Sequence, residues 1–350
     1  MTLTIVATTP EGIVLGGDSR RIKGNWPLPA SDPSKIKIDD TVTKVFPFTK
    51  YGGVVLSGSS AWFCGHSDET NSDEMVDVLS LVSEYAKSTV NNENIPLSLE
   101  QFCEYLRSSY GYDKQLEKLV SRLHKVIAET FHAGSDGMPE VVKIEKVKIG
   151  ENLKMPAGGV FVQVQDTTTR EVKDVCLPMP STTFLIAGYS DPSSGDFKEW
   201  NIDVPFNDFK PRECENEEGK YGVSYIGITT VLQYLTKARY GKVQDILTSL
   251  ERNELGLSGK EDLYKEVKQC VDAIRPKGKN IDWSKLSLET AASLVEKMIK
   301  VTALLQDVLY RFTGGTPKFS VGGPVDIATI TPELGFQGHT VKGVRQQITV

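Results

Sequence analysis

The order in which strand-like and helix-like segments follow one another constrains this chain most. Two short β-prone runs, residues 3–7 and 13–17, flank a turn at Thr9-Pro10-Glu11-Gly12. Residues 22–40 are polar, contain Pro27, Pro29 and Pro33, and read as a loop. Two further runs, 42–48 and 53–57, flank Lys50-Tyr51-Gly52. Helical spacing then takes over. Met75, Val78, Leu79, Val82 and Ala86 form one stripe, with Ser72 as its expected cap. Ser98 and Gln101 predict a capping box for a second helix. Beyond an interruption near Gly111, residues 116–131 carry another apolar stripe. Strand character returns as a hairpin over 158–176 and as a pair at 184–188 and 198–204. A strand at 222–228 runs into a helix at 229–240, residues 242–286 are charged and mainly helical, and a long helix starts at Ser287. A strand at 326–330 and a β-prone tail close the chain. Strands and helices grouped in blocks exclude a regular βαβ sheet and predict an α+β fold of antiparallel sheets with segregated helices. Two such sheets face to face with helices outside make a four-layer αββα sandwich.

Composition removes several function classes. The chain has 350 residues, a net charge of −6, 39% apolar and 25% charged residues, as expected of a soluble globular protein. The acidic balance and scattered Lys and Arg argue against a nucleic-acid binder. No apolar run is long enough to span a bilayer, and no basic-then-apolar leader opens the sequence, so a cytoplasmic protein is expected. Five separated cysteines without a CxxC read as reduced thiols rather than disulfides or a zinc site. There is no HExxH, GxSxG or GxxxxGK[ST], and neither metal nor cofactor is expected. Cys64 and His66 stand two apart, a spacing that does not face on a helix and makes no dyad.

One constellation carries chemistry. Thr2 follows Met1, and aminopeptidases remove Met before a small residue. A free α-amine beside the threonine hydroxyl puts base and nucleophile on one residue. The opening MTLTIVATTPEGIVLGGDSR, with Asp18-Ser19-Arg20 beginning sixteen residues after Thr2, resembles the mature start of proteasome β-type subunits and their bacterial relatives, the HslV and Anbu proteins. TVTKVFPF resembles the segment holding that family's catalytic lysine, here Lys44, behind a loop about ten residues longer than usual. VVLSGSSA, with Gly58 fourteen residues beyond Lys44, resembles the strand end whose glycine amide forms the oxyanion hole. FLIAGYSD, YIGITTVLQYL and FSVGGPVDIATI resemble later family segments in the right order, the last closest to the Anbu version. The resemblance covers about half the chain and leaves 135–182 and 242–286 as insertions in a single domain, 1–350.

The resemblance implies the N-terminal-nucleophile (Ntn) hydrolase fold and a set of roles. Thr2 attacks a carbonyl; its amine, with a pKa of roughly 7.7–8.0 when free, accepts the proton. Lys44 lowers that pKa by like-charge repulsion, about 4 kcal/mol at roughly 4 Å and an effective dielectric near 20. Asp18 pairs with Lys44, and the Gly58 amide stabilises the oxyanion. Arg20, Ser57, Thr229 and Asp307 are weaker candidates. Ile228 occupies the position of a family serine, with Thr229 adjacent. The family aspartate before the final glycine pair is missing from 316–320, which leaves Asp307 as the nearest upstream acid. The implied activity is hydrolysis of peptide or amide bonds through an acyl-enzyme. The same residues would also serve a transpeptidase or ligase, and a non-catalytic scaffold subunit is the third reading. Implied partners are a peptide or protein substrate, further copies of the chain in a ring or stack, and an ATPase or accessory protein.

Overall fold

The computed structural model describes residues 3–23, 37–59, 61–63, 75–111, 140–147, 159–165, 172–178, 181–205, 209–214, 220–227, 229, 231–233, 240–252, 260–274, 281–312 and 321–340. In chain order its strands are β1 (Leu3–Thr9), β2 (Gly12–Asp18), β3 (Arg21–Lys23), β4 (Lys37–Asp39), β5 (Val45–Thr49), β6 (Gly52–Gly58), β7 (Ala61–Phe63) and β8 (Met75–Asp77). Helices α1 (Val78–Thr89) and α2 (Ile95–Tyr110) follow. Next come β9 (Glu140–Val147), β10 (Gly159–Gln165), β11 (Val172–Pro178), β12 (Thr182–Asp191), β13 (Asp196–Val204), β14 (Arg212–Glu213) and β15 (Val223–Gly227). The last elements are α3 (Tyr240–Glu251), α4 (Lys260–Ile274), α5 (Leu288–Phe312), β16 (Val325–Thr331) and β17 (Gly335–Thr340).

Two five-stranded antiparallel sheets organise the molecule, which is α+β as the block order predicts. Their orders are β15-β1-β2-β16-β17 and β14-β13-β12-β6-β5. Alternation along the strands sorts side chains onto three apolar clusters. Leu3, Ile5 and Ala7 of β1 pack with Val295, Met298 and Ile299 of α5 and with Val267 and Val271 of α4. Val54 and Leu56 of β6 pack with Val82 of α1 and with Leu99 and Phe102 of α2. Val6, Ile13 and Leu15 meet Val45, Val55 and Leu185 between the sheets.

Several boundaries differ from expectation. Asp77 caps α1, its side chain accepting from the Leu79 amide, and Met75 belongs to the short strand β8; Ser72 lies outside the described residues. Helix α2 starts earlier than the Ser98–Gln101 box implies, with Asn94 accepting from the Leu97 amide and Pro96 in the first turn. Proline needs no helical donor there, so it favours that start. Gly111 ends α2 in the left-handed conformation, and the 116–131 stripe lies outside the described residues. The 22–40 segment, expected as loop, opens and closes with the paired strands β3 and β4, Ile22 opposite Ile38. Its three prolines fall outside the described residues. The expected 158–176 hairpin is β10–β11, and β9, which was not expected, makes it a three-stranded sheet. Within 242–286, α4 contributes Val267, Cys270, Val271 and Ile274 to the core under α5. Ser287 caps α5 by accepting from the Thr290 amide. Cys103, Cys214 and Cys270 are free thiols, as expected, and burial pushes each pKa up. Among the described residues no helix is long and apolar enough to cross a membrane.

Glu199 on β13 is an acid in this apolar setting, 4% exposed. Neither carboxyl oxygen has a full hydrogen bond, and the nearby Ser224 hydroxyl offsets only part of the burial. Burial pushes its pKa from 4.5 to about 7. Below pH 4.5 the group is protonated in both the folded and unfolded chain. As pH rises toward and past 7, the unfolded chain ionises freely and the fold loses stability, up to about 3 kcal/mol. Glu199→Gln should therefore stabilise the protein by up to about 3 kcal/mol at pH 8.5 and by little at pH 4.5. Urea unfolding at both pH values checks this; equal effects at the two would refute it.

Candidate active site

The first sheet brings the start of β1, the end of β2 and the start of β16 together at one end of its strands. Asp18 closes β2 there, opposite Val325 of β16, and is fully buried. Its Oδ1 accepts from the Leu3 amide at 2.9 Å and from the Lys44 Nζ at 3.1 Å. Its Oδ2 accepts from the amides of Gly322 at 3.0 Å and Arg20 at 3.3 Å. One carboxylate thus fixes the entry of β1, the exit of β2, the loop before β16 and the lysine before β5. Among the described residues, four donors, one of them cationic, compensate for removing the charge from water.

Lys44 is 5% exposed. Its Cβ lies beside Gly17, where an added Cβ would lie 3.5 Å from the Lys44 Cβ, 3.2 Å from Val45 Cγ2 and 3.3 Å from Thr4 Cγ2. Glycine at 17 thus spares crowding against Thr4 and Val45, the neighbours of the lysine. The ammonium donates to Asp18 and to the Arg20 carbonyl. Burial lowers the Lys44 pKa; Asp18, by charge and by hydrogen bond, opposes this most, and Asp326 and Asp40 oppose it further. Burial thus outweighs the partners, which offset only part of it, and the Lys44 pKa falls below that of a free lysine.

Arg20 serves the cluster through its main chain, since its amide and carbonyl contact Asp18 and Lys44. Its guanidinium forms a two-pronged pair with Asp40 at 2.7 and 2.7 Å. That hydrogen bond raises the Arg20 pKa and lowers that of Asp40. The guanidinium lies against Gly322, where an added Cβ would sit 2.5 Å from its Cζ. Arg21 pairs with Asp77 at 2.7 Å and so ties β3 to the cap of α1.

Gly58 ends β6 opposite Thr182. Val45 pairs with Val55 in the β5–β6 hairpin, so Gly58 stands at the hairpin end from which Lys44 enters. Its φ is +114°, and an added Cβ would lie 2.3 Å from the Ser181 carbonyl oxygen. Only glycine fits this backbone. Ser57 is buried and pairs with Thr183. Thr229 opens a helical turn: its carbonyl accepts from the Gln233 amide at 2.8 Å and its Oγ1 from Gln233 Nε2 at 3.1 Å. That contact gives Thr229 a structural task. Asp307 lies on α5, but its side chain is outside the described residues, as are Met1, Thr2, Ile228 and 316–320. The structure thus brings Asp18, Lys44 and the Arg20 main chain together and sets Gly58 at the matching strand end.

Sequence reasoning missed Asp326, Asp40 and the Gly322 amide. Asp326 is 7% exposed and stands opposite Gly17 on β16. The signal for it was an acid at the head of the apolar run 325–330.

No protein family matches the sequence, and no curated protein does. Among solved structures the chain is similar to a helical assembly of the Anbu complex from Pseudomonas aeruginosa, at 11% identity and a TM-score of 0.40, over 98% of this chain and 88% of that one. It is also similar to an Anbu mutant from Hyphomicrobium sp. strain MC1, at 12% identity and TM-score 0.37, over 100% and 88% of the two chains. Anbu from Yersinia bercovieri, titled an ancestral β-subunit, gives 11% identity and TM-score 0.37 over 98% and 88%. At these scores the likeness is distant.

The ion pair makes an asymmetric prediction. Asp18→Ala strands a buried lysine and removes the acceptor of three amides, so it should cost about 3–5 kcal/mol or prevent folding. Lys44→Met leaves Asp18 with its three backbone donors and should cost less. Chemical denaturation of both variants at pH 7 measures the order; a reversed order would contradict the geometry.

Proposed function

We propose that the chain is an N-terminal-threonine hydrolase of the Ntn type, with the four-layer αββα sandwich of that class. In this reading it cleaves peptide bonds in peptide or protein substrates and works as a homo-oligomer. The observation that carries the reading is the hydrogen bond from the Leu3 amide to Asp18. Leu3 is the residue bonded to Thr2, and the carboxylate that holds it is the one paired with Lys44. The resemblance of the opening segment to proteasome β-type subunits supports it further.

The chemistry requires removal of Met1. The Thr2 hydroxyl then attacks the substrate carbonyl, and its proton passes to the Thr2 amine through a water. Charged Lys44 keeps that amine unprotonated near neutral pH. The Gly58 N–H donates to the oxyanion. Collapse breaks the C–N bond, and the leaving amine takes the proton. Water then hydrolyses the ester on Thr2.

Intact-mass analysis before and after treatment with a peptide epoxyketone tests the proposal. The expected result is a chain lacking Met1 that gains one inhibitor mass, located at Thr2 by fragmentation. Thr2→Ala should gain none, and Lys44→Ala should react on the order of 100-fold more slowly. A chain that retains Met1 and takes no inhibitor would defeat the proposal and favour a non-catalytic subunit.

A further inference from the structure

We infer that Asp326 is a positioning residue for Lys44, keeping the lysine charged and aimed at the end of β2; the inference rests on the threonine-hydrolase reading for its catalytic consequence. Three strands carry it. Thr4 of β1 and Asp326 of β16 are both direct partners of Gly17 on β2. Directly opposed residues of an antiparallel sheet project to the same face. Neighbours on each strand identify that face: Val6, Leu15 and Ala328, two places along, all belong to the apolar cluster between the sheets. Gly17 puts no side chain between Thr4 and Asp326 on that face, and the Lys44 Cβ lies 3.5 Å from where a Gly17 Cβ would sit. Lys44 thus starts beside the strand position that Asp326 flanks, and its ammonium reaches Asp18 at the strand end.

The charges around this ammonium are few among the described residues. Asp18 at the end of β2 bonds to it, and Asp326 on β16 and Asp40 before β5 attract it. Asp40 is already engaged by the guanidinium of Arg20, whose positive charge offsets much of its pull. Asp326 is thus the second carboxylate that counts, and it is 7% exposed, so little water screens it. The sequence carries no acid in 316–320, before the glycine pair at 322–323; the acid after that pair supplies negative charge from the neighbouring strand.

The direction of the effect follows. Removing the Asp326 charge weakens support for the Lys44 ammonium, so Lys44 loses its proton at lower pH. The experiment is a Lys44 titration by NMR on protein labelled with 13C at lysine Cε, in wild type, Asp326→Asn and Asp326→Glu. The epoxyketone reaction rate is followed across pH on the same samples. Asp326→Asn should move the Lys44 midpoint, and the alkaline limb of the rate profile, down by about one pH unit, while Asp326→Glu stays near wild type. Should the Asn variant not fold, Asp326→Ser carries the same prediction. A folded, uncharged variant with an unmoved Lys44 midpoint overturns the inference. The NMR arm does not depend on catalysis. A moved midpoint in a protein that never reacts therefore supports Asp326 while defeating the hydrolase reading.

Discussion

A fully buried carboxylate that accepts four hydrogen bonds from the described residues is the contact on which the rest of this site depends. Asp18 gathers the Leu3 amide, the Arg20 amide, the Gly322 amide and the Lys44 ammonium. The three amides come from stretches of chain that meet because β1, β2 and β16 are neighbours in one sheet, and Lys44 comes from the start of β5 in the other sheet. Removing a charge from water costs several kcal/mol unless its acceptor positions are filled, and here backbone donors fill three of them. The carboxylate is thus placed mainly by the fold, and it in turn places the lysine. The order of dependence runs from sheet to Asp18 to Lys44, which is why the two halves of the ion pair are not equivalent.

Lys44 stands in a conflict that burial and charge resolve in opposite directions. Desolvation favours its neutral form. Asp18, Asp326 and the Arg20 carbonyl hold the proton. A lysine in that state is sensitive to the loss of any one partner, and its charge is what a neighbouring amine would feel. Gly17 spares crowding against Thr4 and Val45 beside the lysine, and Gly58, at a backbone angle closed to other residues, shapes the adjacent strand end.

Much of the site was legible in the sequence, and the reason is chemical type at fixed spacing. Asp18 ends a run whose alternation already marks a strand, and Lys44 introduces the next β-prone segment. Other features depended on contacts that local sequence does not encode. Ser72 and Asp77 are comparable caps by propensity, and tertiary packing against β7 and the pair with Arg21 fit Asp77 to the task. Asp326 looks like an ordinary strand residue until cross-strand register places it beside Gly17. Arg20 was a weaker candidate by sequence, and it is its main chain that meets the cluster while its guanidinium holds Asp40. The fold class was legible in the block order of elements. The depth to which α4 enters the core was not, because nearly half of its residues are charged and only the buried stripe Val267, Cys270, Val271 and Ile274 shows which face turns inward.

The central claim is that Asp18 and Lys44 together prepare the amine of Thr2. An NMR titration of protein labelled with 15N-threonine reads that amine directly, in wild type and in Lys44→Met. The account predicts a chain beginning at Thr2, with an amine pKa below the roughly 7.7–8.0 of a free α-amine and a return toward that value in Lys44→Met. A chain that still begins at Met1, or an amine with the same ordinary midpoint in both proteins, would contradict it.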